Sequence, residues 1–347
     1  YWNRYPGCRF DSESYSYCFS FSEELLQEWN WTEHFSPQPE TLKYLQFVAE
    51  KFDLKKDIQF KTKISKATFI EQKSKWQIES DTGERVEAKY FITAIGALSE
   101  PYIPEIKNRE MFKGQSWHTS LWPKEKVDLS NKRVGVIGTG ATGVQMITEI
   151  AKTVKHLTVF QLRPEYCLPL RNEPIDEKTQ KEIKANYPNF FKKCKESFGS
   201  FLHNFDERSA LDHSEEERIE FYETLYKKRG FSLWLGNFHD YLTNQEANDS
   251  VSEFVRNKIR AQVDDPKTAE KLCPKDHGFG TRRVPMESGY YKAYNQSNVE
   301  LVDISETPIK QITEAGIETS DSEYELDLII YATGFDAITG AFKKIDI

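Results

Sequence analysis

The sequence predicts an α/β protein, and three observations carry that prediction. An apolar strand over residues 133–137 runs into the turn Gly138-Thr139-Gly140-Ala141-Thr142-Gly143, then into an amphipathic helix, and a second apolar strand follows at 157–160. Short strand-like runs lie on both sides of this β-α-β unit, at 58–64, 67–70, 76–80, 299–302 and 326–331. Between them, residues 173–275 are strongly charged and mostly helical in pattern, with 215–228 and 251–263 the clearest segments, and read as a helical insertion.

From the N-terminus, residues 1–60 are rich in aromatics and mix loop with helix. Residues 38–52 place Leu42, Leu45, Val48 and Phe52 on one helical face, with Pro39 suited to the first turn. The turn Asp81-Thr82-Gly83 joins the run at 76–80 to 84–88 as a hairpin, and 90–94 reads as a short apolar strand ending at Gly96. Residues 101–131 contain prolines and look irregular, as a linker does. The helix after the glycine turn carries Ile147, Ile150, Ala151 and Val154 on one face.

Composition narrows the functional classes. The chain has 347 residues, enough for two domains. With 38% hydrophobic and 29% charged residues it reads as a folded rather than a disordered chain. A net charge of -8 without a basic stripe argues against nucleic acid as a partner. The longest apolar runs, such as 326–332, are far too short to span a bilayer. The five cysteines are scattered and form no CxxC pair, so neither a disulfide framework nor a metal site is expected, and a reducing cytoplasm is the expected compartment. The chain does not begin with Met, and no leader pattern is legible at its start.

The glycine turn bears the first chemistry. Gly138 allows a tight turn, Gly140 lets a pyrophosphate approach the backbone, and Gly143 lets helix and strand pack closely. The helix N-terminus favours the phosphate charge. A bare strand–helix turn is the alternative, but the β-α-β context is the one a dinucleotide fingerprint requires. The second strand ends Gln161-Leu162-Arg163, with no acid for a ribose 2′-hydroxyl and an Arg able to grip a 2′-phosphate, so NADP(H) is favoured over NAD(H). A plain surface charge is the competing reading of Arg163.

A second motif, Phe112-x-Gly114-x-x-x-His118-x-x-x-Trp122-Pro123, lies just before the nucleotide fold. Composition alone makes it an aromatic loop with a core histidine. Its spacing resembles the fingerprint of type I Baeyer–Villiger monooxygenases, where it sits between the FAD and NADP domains and helps couple their movements. The likeness extends along the chain. Residues 1–11 resemble the family's flavin-contacting segment, 90–101 and 326–336 its two interdomain strands, and Thr281-Arg282-Arg283, ahead of Tyr290-Tyr291, its active-site basic pair.

The resemblance implies a two-dinucleotide-binding-domain flavoprotein: a Rossmann-like NADP domain with a helical insertion, plus an incomplete FAD domain. The expected division is a partial FAD-binding domain at 1–100, a linker with the fingerprint at 101–130, an NADP-binding domain at 131–334 with its insertion at about 173–275, and a return into the FAD domain at 335–347. It also implies FAD- and NADPH-dependent conversion of ketones to esters or lactones with O2, through a C4a-peroxyflavin. Arg283 is then the fixed cation for the anionic adducts, a role Lys fills less well because it can lose its proton. Asp11 orients Arg283, and Arg282 meets the 2′-phosphate. On residues alone the Arg pair is a solvated loop charge and Asp11 an ordinary loop acid. Flavin contacts are implied at Tyr1, Trp2, Asp11, Tyr17 and the backbone near Ile64. NADP contacts are implied at Arg9, Phe10 and Asp11, at Gly138, Thr139, Gly140, Ala141, Thr142, Gly143, Val144 and Gln145, and at Leu162 and Arg163.

Two departures matter. The family pattern has its Arg one residue earlier than Arg163, and one step along a strand reverses the side-chain direction. The family's first glycine motif, for FAD, and its C-terminal continuation do not occur here, which predicts a fragment lacking both termini, with poor flavin retention and little turnover by itself. Rival readings are a flavin-dependent N- or S-oxygenase, a disulfide oxidoreductase (disfavoured without CxxC), and a non-catalytic NADPH-binding module. The ketone and the oligomeric state stay open.

Overall fold

The computed structural model describes residues 2–347. In chain order, α1 (Glu23–Glu28) and α2 (Gln38–Lys51) precede β1 (Ile64–Ile70), β2 (Lys75–Ser80), β3 (Arg85–Ala88) and β4 (Gln115–His118). Next come β5 (Arg133–Ile137), α3 (Ala141–Ile150), β6 (His156–Gln161) and β7 (Leu168–Pro169). Helices α4 (Glu177–Glu196), α5 (Glu215–Tyr226), α6 (Ser232–Leu235), α7 (Gln245–Arg260) and α8 (Pro266–Leu272) form the insertion. The chain then forms β8 (Met286–Glu287), α9 (Tyr290–Ala293), β9 (Val299–Asp303), β10 (Ile309–Ile312), β11 (Gly316–Thr319), β12 (Glu323–Glu325) and β13 (Leu328–Tyr331). Its contacts divide it into two units, Tyr1–Tyr44 with Glu105–Ala332 and Leu45–Pro104 with Thr333–Ile347.

The first unit is built on a parallel sheet of order β4-β13-β5-β6-β9. Val134, Val136, Leu157, Val159, Ile329 and Ile330 are wholly buried in its central strands, as in a sheet covered on both faces. Helix α3 packs onto it through Val144, Met146, Ile147 and Ile150. The sequence leaves 101–131 as a linker, yet Gln115–His118 within it forms an edge strand beside β13. Four residues reading Gln-Ser-Trp-His carry no strand periodicity; the exposed ladder of β13 supplies the order instead. The antiparallel β10-β11-β12 meander was likewise invisible to periodicity, because its strands are three or four residues long.

The insertion is helical as expected. Helix α5 opens with a Ser214/Glu217 capping box, and α7 with Asn244 accepting from Glu246 and Ala247. Tyr222, Val251 and Val255 join Phe231, Phe238 and Tyr241 in the core. Helices α7 and α8 are clamped by charge: Arg260 Nε lies 2.5 Å from Glu270 Oε1, and Lys275 Nζ lies 3.2 Å from Glu270 Oε2. These hydrogen bonds hold the Glu270 carboxyl down at about 2 against an ordinary 4.5. A depressed carboxyl stabilises the fold above its ordinary pKa and loses that contribution as pH falls through the folded value. The clamp is therefore expected to weaken between about pH 4.5 and 2. Thermal unfolding across that window should show a smaller acid-induced drop in Tm for Glu270→Gln than for the parent.

Residues 1–44 group with 105–332 in one compact unit. Backbone pairing explains this: Arg9 bridges Pro37, Glu33 bridges Pro174, and the His34 amide donates to Glu173. Side chains add to it, with Trp31 Nε1 and Tyr187 on α4 both meeting Cys18 Sγ.

In the second unit β1, β2 and β3 form an antiparallel sheet, and the hairpin at 81–83 is as expected. The strand expected from 58 begins only at Ile64, because Lys61 turns the chain at a φ of 56°. Residues 90–94 form no ladder, and Ile92 is 85% exposed. A short apolar run becomes a strand only where a partner offers hydrogen bonds, and none of the described residues does so here. Residues 333–347 pack with this unit through Tyr102 N to Gly334 O and Lys66 to Asp346. No helix among the described residues is long and apolar enough to cross a membrane.

Candidate nucleotide site and catalytic ion pair

The glycine turn sits at the C-terminal end of β5. Gly138 has a φ of 106°, and its amide donates to Phe160 O at 3.0 Å, tying the turn to β6. A Cβ on Gly143 would fall 2.4 Å from Gly138 O, so only glycine lets α3 lie this close to the strand. A Cβ on Gly140 would meet nothing within 4 Å, and no side chain caps α3 at that position. Free helix amides beneath open space suit a pyrophosphate. Thr139 Oγ1 donates to Arg163 O at 2.9 Å and fastens the turn to the end of β6. Ala141 and Thr142 begin the helix, whereas Val144 is fully buried and serves the core.

Gln145, one turn into α3, faces the segment 5–11. Its Oε1 accepts from Tyr5 OH at 2.9 Å and from Arg9 N at 3.4 Å. Its Nε2 donates to Arg9 O at 3.2 Å and to Asp11 Oδ1 at 2.8 Å. The other Asp11 oxygen receives Arg283 Nη2 at 2.9 Å. Asp11 is buried, while the Arg283 side chain is 57% exposed and open to a ligand. Burial raises the Asp11 carboxyl above its usual range, and Arg283, Gln145 and the Met286 amide counter it. Gln145→Leu should therefore push the Asp11 carboxyl up further. Carboxyl-carbon NMR titration would show the shift, and Gln145→Asn should not reproduce the parent value because its amide falls one methylene short.

Arg282 points away from its neighbour. Its Nη1 lies 3.7 Å from Glu165 Oε1 and its Nη2 3.5 Å from Asp276 Oδ2. Arg163 Nε lies 3.8 Å from the same Asp276 oxygen. His277, largely buried, sits between Asp276 Oδ1 at 2.7 Å and Glu165 Oε2 at 3.4 Å. The fold thus brings Arg163 and Arg282 to one place, despite the one-residue displacement of Arg163. Leu162 beside them is exposed.

The remaining expected contacts are more scattered. Arg9 Nη1 pairs with Glu33 at 3.1 Å, and Phe10 stacks on Tyr17 with ring centroids 4.2 Å apart. Trp2 is exposed, and Tyr1 lies outside the described residues. Ile64 opens β1 in the second unit, paired with Ser80. The fingerprint shapes local structure: Gly114 passes the Asp327 carbonyl, where a Cβ would come within 2.7 Å, with the Phe112 ring beside it. His118 Nδ1 accepts from Ser120 N at 3.2 Å, capping the turn at 119–121. Trp122 packs edge-on to Trp117 ahead of Pro123, and its carbonyl accepts from Arg4 at 2.6 Å. Tyr290 and Tyr291 are buried, and Tyr291 OH receives the Cys167 amide.

Glu165, Asp276 and His277 were missed by sequence reasoning, because no spacing links residues that meet only through the fold. Among the described residues no group of His, Cys, Asp and Glu is placed to hold a metal ion.

Residues 17–168 match the family described as Flavin-binding monooxygenase-like. A Baeyer–Villiger monooxygenase from Pseudooceanicola batsensis is 44% identical over 100% of this chain and 64% of its own length. A crystal structure of OTEMO in complex with FAD and NADP superposes with a TM-score of 0.97 at 47% identity, covering 100% of this chain and 66% of that one. An open crystal structure of cyclohexanone monooxygenase gives 0.95 at 41% identity, covering 99% and 67%. The fold and the site define a flavin-binding monooxygenase-like protein with the two-dinucleotide-domain architecture. Within that class, the chain belongs to the Baeyer–Villiger monooxygenase family. It spans about 65% of the length of the curated relatives it matches.

Proposed function

We propose that this chain carries the nucleotide site and the catalytic arginine of an FAD- and NADPH-dependent monooxygenase that converts ketones to esters or lactones with O2. The observation that carries this reading is the Asp11–Arg283 pair, held by Gln145 from the helix that begins at the glycine turn. FAD, when bound, supplies the redox chemistry that activates O2 after reduction by NADPH. Ser12 Oγ, buried beside Asp11 and without a hydrogen-bond partner among the described residues, is a polar atom that fits a bound cofactor.

In this reading Gly138, Gly140 and the first turn of α3 hold the NADPH pyrophosphate, and Arg163 and Arg282 meet its ribose end. Trp2 and Tyr17 belong to the flavin surface of the first unit. Asp11 orients Arg283. The Arg283 guanidinium steadies negative charge as it develops on the ketone-derived oxygen, a task for a preorganised cation that cannot deprotonate. The substrate is a small-molecule ketone, and the cytoplasm is the compartment that free cysteines fit.

The test uses the complete reading frame with FAD and NADPH, fed cyclohexanone and phenylacetone under 18O2. An ester or lactone carrying one labelled oxygen supports the reading. NADPH consumption yielding only hydrogen peroxide, or N-oxides and sulfoxides formed where ketones are refused, rejects it.

A further inference from the structure

We infer that a cationic cleft in the first unit binds a phosphate monoester that also carries a hydroxyl or amine group. The cleft, of about 480 Å3, reaches Glu13, two residues beyond Asp11. Arg171, Lys227, Lys228 and Arg229 line it against Glu13 and Glu173, four cations to two anions in a chain whose net charge is -8. Both acids are already engaged. Glu173 takes Arg229 Nη2 at 2.9 Å, and Glu13 Oε1 lies 3.1 Å from His203 Nε2. Arg171, Lys227 and Lys228 have no carboxylate partner among the described residues. A cleft with a surplus of one sign concentrates the field and draws the opposite charge from solution.

The backbone holds these cations in place. Arg171 stands at a φ of 52°, a left-handed conformation that a residue with a Cβ keeps only where its surroundings fix it. Its Nε donates to Tyr226 O at 3.0 Å, and its guanidinium lies over the Tyr226 ring, 5.7 Å from the centroid. Both Nη groups are left for a ligand, and such a fork suits two phosphate oxygens. The Gly230 amide donates to Leu170 O at 3.1 Å and ties the lysine-bearing turn to the residue before Arg171. Glu13 adds the second half of the ligand. It is 3% exposed, it lines the same cleft, and its Oε2 has no hydrogen-bond partner among the described residues. An unpaired buried carboxylate oxygen is costly, and a hydroxyl or amine on the ligand completes it. The lining includes no residue of the glycine turn or of the end of β6, and neither Arg282 nor Arg283, so this phosphate is not the nucleotide's.

The experiment is isothermal titration of the complete reading frame, loaded with FAD and saturated with NADP+, with glycerol 3-phosphate and with methyl phosphate, which has the same charge and no hydroxyl. Glycerol 3-phosphate should bind saturably with a Kd below about 1 mM, and about fivefold or more tighter than methyl phosphate. Changing Lys227→Gln and Lys228→Gln together, both exposed side chains, should weaken it by about tenfold or more. Arg171→Lys should weaken it as well, since the charge stays and the fork is lost. NADP+ binding should match the parent in each variant. Absence of saturable binding overturns the inference, as do equal affinities for the two probes or affinities that the lysine changes leave untouched. Titration requires no turnover, so failure of the monooxygenase reading is a separate result. Under that reading, kinetics separate the two sources of the phosphate. A neutral-ketone rate that responds to glycerol 3-phosphate in the parent but not in the lysine variant marks a separate effector. A KM for a phosphate-bearing ketone that rises in the variant marks the substrate itself.

Discussion

Arg283→Ala, introduced into the complete reading frame, is expected to lower ester or lactone formation by roughly 10^2–10^3-fold or more while NADPH still binds. The side chain is more than half exposed, so its removal opens no cavity, but it leaves the buried Asp11 carboxyl without its cation, a cost to the fold that grows with pH. What it removes is the cation that Asp11 and Gln145 hold in place. Arg283→Lys should recover only part of the rate, since an ammonium lacks the planar fork and can deprotonate in an apolar site. The variant also has a pH signature. Burial already raises Asp11, and Arg283 is the largest opposing influence. Without it the folded-state pKa climbs further above the unfolded value. A raised carboxyl lends stability that is present at low pH and lost as pH rises through the folded pKa. Denaturation measured from pH 4 to 8 should therefore show Arg283→Ala losing stability with rising pH more steeply than the parent. Parallel curves with unchanged product formation would remove Arg283 from the site.

Gly143→Val should abolish nucleotide binding and destabilise the first unit by roughly 1–3 kcal/mol. The added Cβ would stand 2.4 Å from Gly138 O, a backbone atom, with Ala332 Cβ at 3.7 Å behind it. The Gly138 carbonyl cannot move without displacing β5 from α3, and that displacement carries the helix amides away from the turn. Chemical denaturation and titration with 2′-phospho-ADP-ribose would report the two effects separately. Gly140→Ala is the contrasting case. Its Cβ meets nothing within 4 Å, so the fold should persist while binding falls, because the methyl group occupies the space left for the pyrophosphate.

Much of this was legible without coordinates. Arg133–Ile137, the glycine turn and the helix behind it are contiguous, and their physics is local: apolar periodicity, a positive φ at Gly138 and a close approach at Gly143. The helical insertion announced itself through the same periodicity. The strands lost to sequence reading, β4 and the β10–β12 meander, are short and weakly patterned, and partner strands impose their order. The unpaired run at 90–94 is the converse, a strand-like sequence with no ladder to join among the described residues.

By itself the sequence determined the nucleotide turn, the presence of Asp11, Arg282 and Arg283, and the absence of an acid at the end of β6. Only the tertiary structure decided what those side chains meet. Asp11 and Arg283 are 272 positions apart and become a pair through the fold. Gln145, which looked like a cofactor contact, has both ends of its amide engaged by residues 5–11. Asp276 lies 3.8 Å from Arg163, from a loop that no spacing rule connects to it. The reason is general to such sites. Backbone preference acts over a few residues and is written in local pattern, whereas electrostatics acts over ångströms in space and is written only once the chain has closed on itself.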